Sequence, residues 1–347
     1  MTRRWHSQCA LTLAATLILA TVGPAWGDET LEGDSVEAPE ADSAADSPEA
    51  SANVFELPET GVDIVGEVRT VEARQEDTLL DIGRRHGLGY REIRRANPDV
   101  DVWLPGEGTE ITLPLRFVLP PGPREGIVVN LPEMRLYHFP EPGPDGTRVV
   151  ETYPISIGRM DWSSPIGETR VTHRLEDPAW YPPDSVRARY KEEGRELPRR
   201  VDPGPDNPLG RHAIGLDIPG YFIHGTNRPA GVGMQATHGC IRMFPEDIES
   251  LVHRVDRGTP VRILNATYKA GWSQEGELYL QAYPALEIEG QERNAGTSAA
   301  VRAVADAVED RPARVDYPRL RTVAERGSGR PSPITREESP RSMARAD

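Results

Sequence analysis

The sequence predicts a mainly β domain, a sandwich or barrel, preceded by a small α+β module and bounded by disordered tails. Three observations carry this. From Gly126 to about Glu289, short alternating stretches are separated by Pro and Gly. From Val68 to Leu115, one strand pattern, two helix patterns and a second strand pattern follow in about fifty residues. Both ends of the chain are compositionally biased.

Residues 1–27 read as a secretory signal peptide. Arg3 and Arg4 precede an apolar run from Ala10 to Val22, and Ala25-Trp26-Gly27 forms a small-x-small site before Asp28. A membrane anchor is the competing reading, but the run falls short of the roughly 20 residues needed to span a bilayer. No integral membrane segment is expected after cleavage. Residues 28–62 read as an acidic, disordered spacer. From Asp28 to Glu59 the chain holds many Asp and Glu and no Lys or Arg, too little apolar surface to offset the entropy of ordering.

Residues 63–117 form the small module. "VRTVEA" alternates like a strand. Asp77-Thr78 supplies a helix N-cap before Leu79, Leu80 and Ile82, and Gly87 stops that helix. "YREIRRAN" gives a second short helix, and "TEITLP" a closing strand. Residues 122–290 form the β domain. "GIVVNLPEMRLYHFP" reads as a hairpin turning at Leu131-Pro132-Glu133. "VVETYPISIG", "ETRVTHRLE", "HAIGLDI", "YFIHGT" and "TPVRILN" are further strands, and "PEDIESLVHRV" is a helix with Pro245 in its first turn. Residues 291–347 read as a mostly disordered tail with one short helix, from Ala299 to Arg311. The net charge of −15 and the lack of a basic stripe with interleaved aromatics exclude nucleic acid as a partner.

One stretch concentrates chemistry: "HGTNRPAGVGMQATHGCIRM", from His224 to Met243. Once Cys9 leaves with the signal, Cys240 is the one remaining cysteine, so no internal disulfide can form. A thiol is mostly protonated near neutral pH and needs a neighbouring imidazole to take its proton. His224 and His238 are the local candidates. His224 ends an apolar strand, and a glycine-containing loop can bring Cys240 back to it. Gly239 permits a tight turn before the nucleophile and lets backbone N–H groups point at a developing oxyanion. Three other readings stay open on residue chemistry alone. Cys240 is a small buried hydrophobe, or the three side chains ligate zinc without a familiar spacing, or the histidines are satisfied core residues.

The same stretch resembles the signature of the L,D-transpeptidase catalytic domain, a histidine in HGT followed by Ser/Thr-His-Gly-Cys. "IVVNLPEMRLYHFP", "YPISIGRMDWSSPIGETRV", "DPAWYPPDSVRARY", "GPDNPLGRHAIGL", "PEDIESLV" and "GTPVRILN" extend the likeness to the periplasmic proteobacterial subgroup. That subgroup anchors Braun lipoprotein to the wall or makes direct cross-links. The resemblance implies a β-sandwich-like domain of mixed sheets. It implies Cys240 as nucleophile, His224 as general acid/base, and the Gly225 carbonyl as the group that orients His224. His238, Gly239 and Cys240 would shape the oxyanion site, and Arg242 would contact substrate or secure the loop. Thr237 stands where Ser is frequent, and Ser164 where Thr is common. The 63–117 module resembles LysM, a peptidoglycan-binding unit, through Asp77-Thr78-Leu79, Ile82, Ala96-Asn97-Pro98 and Leu104-Pro105-Gly106, with Glu76 where glycine is usual.

The implied reaction is peptidoglycan acyl transfer in the periplasm. A tetrapeptide stem loses its D-alanine, and an amine of a second stem or of a Braun-type lipoprotein takes the acyl group. No cofactor and no metal are implied, and the partners are stem peptides and glycan. The alternatives are a hydrolase or carboxypeptidase using the same Cys-His site, an inactive wall-binding protein, and a zinc peptidase.

Overall fold

The computed structural model describes residues 54–158, 165–237, 239–286 and 295–336. The expected signal peptide, most of the acidic spacer, His238 and the extreme C-terminus lie outside these residues.

The chain begins with β1 (Val54–Glu56) and β2 (Ile64–Glu72). Two helices follow, α1 (Leu79–Arg85) and α2 (Tyr90–Ala96), then β3 (Glu110–Val118). β2 and β3 pair antiparallel along their full lengths, so the unit is β–α–α–β as the sequence pattern predicts. Thr78 caps α1, accepting from the Asp81 N–H, while the Asp81 carboxylate accepts from the Thr78 N–H. Asp77, the other residue of the expected cap, instead accepts from the Arg74 N–H and pairs with Arg85. Leu79, Ile82, Leu88, Ile93, Ile111 and Leu113 close a private core under the two helices.

The main domain runs through β4 (Gly126–Asn130), β5 (Arg135–Phe139), β6 (Val149–Pro154), β7 (Ile157–Gly158) and β8 (Gly167–Glu176). It continues with α3 (Asp184–Glu192), β9 (His212–Leu216), β10 (Phe222–His224), β11 (Gln235–Thr237), β12 (Ile241–Arg242), α4 (Pro245–Val252) and β13 (Pro260–Leu264). Among the described residues one sheet takes the order β1-β6-β5-β4-β13-β8-β9-β10-β12. It is mixed: β4–β13 and β10–β12 are parallel, and the other pairs are antiparallel. Successive residues of β4 serve opposite faces. Ile127 and Val129 enter a core with Ile214, Ile223, Ile241 and the α4 residues Ile248 and Leu251. Val128 enters a second core with Phe117, Tyr137, Phe139 and Val150. A strand buried on both faces reads as a continuous apolar run, as "GIVV" does.

Two expectations are corrected. The spacer does not extend to residue 62, because β1 pairs antiparallel with β6 and Phe55 packs edge-on against Phe117 at 6.0 Å. The acidic composition upstream hides a three-residue strand whose middle side chain is apolar. The tail after residue 290 is also largely ordered. β14 (Tyr268–Trp272) and β15 (Leu278–Ala282) form a separate sheet with β16 (Ser332–Pro333), covered by α5 (Thr297–Val308) and α6 (Tyr317–Arg326). The reason lies in spacing that composition conceals. Leu320, Val323 and Ala324 make one apolar stripe amid Arg and Glu, and with Ala300 and Val304 they bury Trp272, Leu278 and Leu280. Asp316 caps α6 by accepting from the Arg319 N–H, and Gly327 ends it in the left-handed conformation.

The parts meet at one hairpin, β4–β5. Glu133, in its turn, is fully buried and takes hydrogen bonds from Lys269 of β14 (2.8 and 2.9 Å), Tyr137 (2.6 Å), Tyr283 (2.7 Å) and Asn130 (3.1 Å). Burial pushes the Glu133 carboxyl up, but Lys269 and the tyrosine hydroxyls outweigh it and hold it below the usual range. Two residues on, buried Arg135 grips Glu92 of α2 through Nε and Nη2, both at 2.8 Å. Its remaining donors reach the Thr152 hydroxyl at 2.8 Å and the Gly87 carbonyl at 2.9 Å. Lys269→Met should lower the unfolding free energy by about 3–5 kcal/mol, because it strands a buried carboxylate. Adding Glu133→Gln should recover part of that loss. Urea denaturation of the single and double variants checks this, and a loss below about 1 kcal/mol for the single variant would contradict it.

Candidate active site

His224 is the last residue of β10, a strand with the apolar Ile223 at its centre and β9 on one side. On the other side β12 runs parallel, with Ile223 opposite Ile241 and His224 opposite Arg242. Paired residues on neighbouring strands project to the same face, and residues two apart along a strand share a face. Cys240 immediately precedes β12, and its thiol reaches the Gly220 carbonyl and the Phe222 backbone at the start of β10. The chain after the loop thus returns alongside the strand that ends at His224.

A parallel return cannot be made by a tight turn. Here the crossover is the loop from Gly225 to Gly239, which contains a 3-10 turn at Pro229–Gly231 and the strand β11. β11 pairs with β7 at Gln235↔Ile157 and Thr237↔Gly158. Ser156 secures both limbs. Its backbone exchanges hydrogen bonds with Arg242 at 2.8 and 3.0 Å, while its hydroxyl donates to the Gly231 carbonyl at 2.7 Å. Sequence reasoning passed over Ser156, although a small polar residue inside the apolar stretch "YPISIG" was the available signal.

His224 is buried, and its Nδ1 lies 2.7 Å from the Gly225 carbonyl. A carbonyl only accepts, so Nδ1 carries the proton and the basic lone pair is on Nε2. Burial, reinforced by the Arg242 charge, lowers the His224 pKa to about 4. The Cys240 thiol is half-buried and donates to the Gly220 carbonyl at 3.6 Å. Burial pushes this thiol up, against the opposing pull of the Phe222 backbone and of Arg242. Both shifts favour neutral forms, so the resting pair is an imidazole and a thiol, not an imidazolium and a thiolate.

The residues around the thiol fall into place on the same loop. Gly239 holds φ at +105°, a conformation that favours glycine, and turns the chain immediately before Cys240. Thr237 is buried and its hydroxyl donates to the Cys240 carbonyl at 2.6 Å, fixing the main chain on the far side of that turn. Arg242 has a buried Nε without a hydrogen-bond partner among the described residues, and the Arg228 charge lowers its pKa further after burial. His238 lies outside the described residues. Among those described, no group of three or more His, Cys, Asp or Glu side chains is arranged to hold a metal ion, and no helix is long and apolar enough to cross a membrane.

Known proteins of one family are similar to this chain. Residues 124–263 match the family model of the YkuD L,D-transpeptidase catalytic domain, a span that includes His224, the loop and Cys240. The chain is 39% identical over 242 residues to the Escherichia coli K12 protein named "Probable L,D-transpeptidase YcfS", covering 68% of this chain and 74% of that one. It is 38% identical over 235 residues to the Salmonella typhimurium protein named "Probable L,D-transpeptidase ErfK/SrfK", covering 67% and 74%. Against the Escherichia coli K12 protein named "Probable L,D-transpeptidase YbiS" the identity is 36% over 251 residues, covering 70% and 80%. With a matching catalytic-domain model and relatives of this identity along most of its length, the chain belongs to the L,D-transpeptidase family and is an enzyme of that class.

Proposed function

We propose that Cys240 is the nucleophile and His224 the general acid/base of this L,D-transpeptidase. The observation that supports this reading is the parallel β10–β12 register, which returns the chain just after Cys240 alongside the strand ending at His224, with the His224 Nδ1 already committed to Gly225. As Sγ bonds to the carbonyl carbon of the third, L-centred residue of a tetrapeptide stem, His224 Nε2 takes the thiol proton. The same proton passes to the departing amine as the C–N bond to D-alanine breaks. The thioester is then attacked by an acceptor amine, whose proton His224 receives and returns to the leaving sulfur. Splitting one acyl transfer into two easier steps is what a covalent nucleophile provides. The peptide bond consumed supplies the energy, so no cofactor enters the scheme. Gly239 and Cys240 N–H groups would face the oxyanion, with His238 shaping the turn, and Arg242 would meet the substrate.

The acceptor amine belongs to a second stem or to a wall-anchored, Braun-type lipoprotein. The βααβ unit is a LysM-like module toward glycan, supported by its element order and by Asp77-Thr78-Leu79 and Ala96-Asn97-Pro98. The N-terminal pattern of residues 1–27 supports export to the periplasm.

Cys240→Ala should abolish D-alanine release from tetrapeptide muropeptides without lowering the unfolding temperature. Undiminished release would overturn the assignment, and mass spectrometry of the products separates transfer from hydrolysis. The neutral pair also sets a pH signature. Because His224 protonates only near pH 4, the acid limb of kcat/KM should fall near 4 and not near 6.5. Alkylation of Cys240 by iodoacetamide should rise only as pH approaches and passes the ordinary thiol range, since burial raises its pKa. A rapid alkylation plateau extending down to about pH 5 would show a preformed ion pair and contradict this account.

A further inference from the structure

We propose that helix α2 of the βααβ unit is a positioning element of the acyl-transfer site: the Tyr90 N–H holds the loop that carries Cys240 back to His224. This inference rests on the assignment of Cys240 as nucleophile. It assigns the unit a role in catalysis that does not require it to bind glycan.

The contact lies midway along the crossover loop. The Tyr90 N–H, the first of α2, donates to the Val232 carbonyl at 3.0 Å. Beside it two glycines meet backbone to backbone. A Cβ on Gly89 would stand 2.8 Å from Gly233 Cα, and a Cβ on Gly233 would stand 2.3 Å from the Tyr90 nitrogen. Gly233 also holds φ at +86°. Both positions therefore exclude any side chain, and the two segments approach as closely as main chains can.

Neither side of this contact is free to retreat. Behind α2, Glu92 accepts from the Gly89 N–H at 2.8 Å with one carboxylate oxygen, and both of its oxygens are held by buried Arg135. On the loop's other flank, the Ser156 hydroxyl takes hold at Gly231, and the Ser156 backbone pairs with Arg242 beside Cys240. A second contact lies just downstream, where Arg84 of α1 makes two bonds to Glu246 at 2.8 and 2.9 Å and sits over the Phe244 ring. The unit thus braces the chain on both sides of the nucleophile. A misplacement of about 1 Å at a reacting group can cost about a hundredfold in rate, so a brace on this loop bears directly on the chemical step.

The test exploits the helix position of Tyr90. Proline is well tolerated at the first residue of a helix, and Gly89 before it already has φ −80° and ψ 161°, which proline permits in its predecessor. Tyr90→Pro therefore removes one N–H, while Tyr90→Ala removes the same side chain and keeps it. Both are assayed in the full chain for D-alanine release from tetrapeptide muropeptides. The expected result is a kcat about ten- to a hundredfold lower for Tyr90→Pro than for Tyr90→Ala, at a KM within about twofold. The pH profile of Cys240 alkylation should shift in Tyr90→Pro alone. Equal kcat values for the two variants would overturn the proposal.

If Tyr90→Pro does not fold, Gly89→Ala is compared with Gly108→Ala. The latter introduces backbone strain in the same unit at φ +75°, with no atom near the added Cβ. A kcat loss confined to Gly89→Ala supports the proposal, and an equal loss in both overturns it. Cys240→Ala run alongside separates the two claims: retained release in that variant would refute the nucleophile assignment and this proposal with it, whereas abolished release together with equal Tyr90 kcat values overturns this proposal alone.

Discussion

Two buried ion pairs set within three residues of one hairpin govern how this chain is assembled. Glu133 meets Lys269 of the C-terminal sheet, and Arg135 meets Glu92 of the βααβ unit. A charge taken out of water is tolerated only when its partner and its remaining hydrogen bonds are all in place. Here they are, with tyrosine hydroxyls completing Glu133 and Thr152 and Gly87 completing Arg135. Pairs of this kind need not add net stability over an apolar core. Their effect is on geometry, because any shift of either flanking part would leave a buried charge without its partner.

The site inherits that geometry. Arg135 holds Glu92, Glu92 holds the start of α2, and α2 meets the loop between His224 and Cys240. The chemistry then follows from burial. A half-buried cysteine beside Arg242 rests as a neutral thiol, so its activation coincides with attack on the carbonyl and does not precede it. Arg242 acts on the two groups in opposite senses: it eases loss of the thiol proton, while it keeps His224 in the free-base form and lowers its basicity.

Much of this was legible before any coordinates. The strand ending at His224, the βααβ order, the β4–β5 turn and the helix starting at Pro245 all declare themselves through alternation, caps and turn residues. The Gly225 carbonyl as partner of His224 was implied by the family resemblance and stands at 2.7 Å. What escaped was long-range or masked by composition. The α6 stripe of Leu320, Val323 and Ala324 is thin, and it becomes meaningful only once β14 and β15 offer an apolar face. Residues such as Gly89 and Gly233 carry no signature, because their importance is a close approach between segments far apart in sequence. Glu92 and Arg135 look like ordinary surface charges until the fold buries them together.

The central claim is that acyl transfer passes through a thioester on Cys240. The direct measurement is intact-protein mass spectrometry of the wild-type enzyme quenched in acid during turnover of a tetrapeptide muropeptide, followed by peptide mapping. The account predicts an adduct equal in mass to the stem lacking its D-alanine, mapped to Cys240 and discharged by hydroxylamine. Turnover with Cys240 unmodified throughout, or an adduct on another residue, would contradict it.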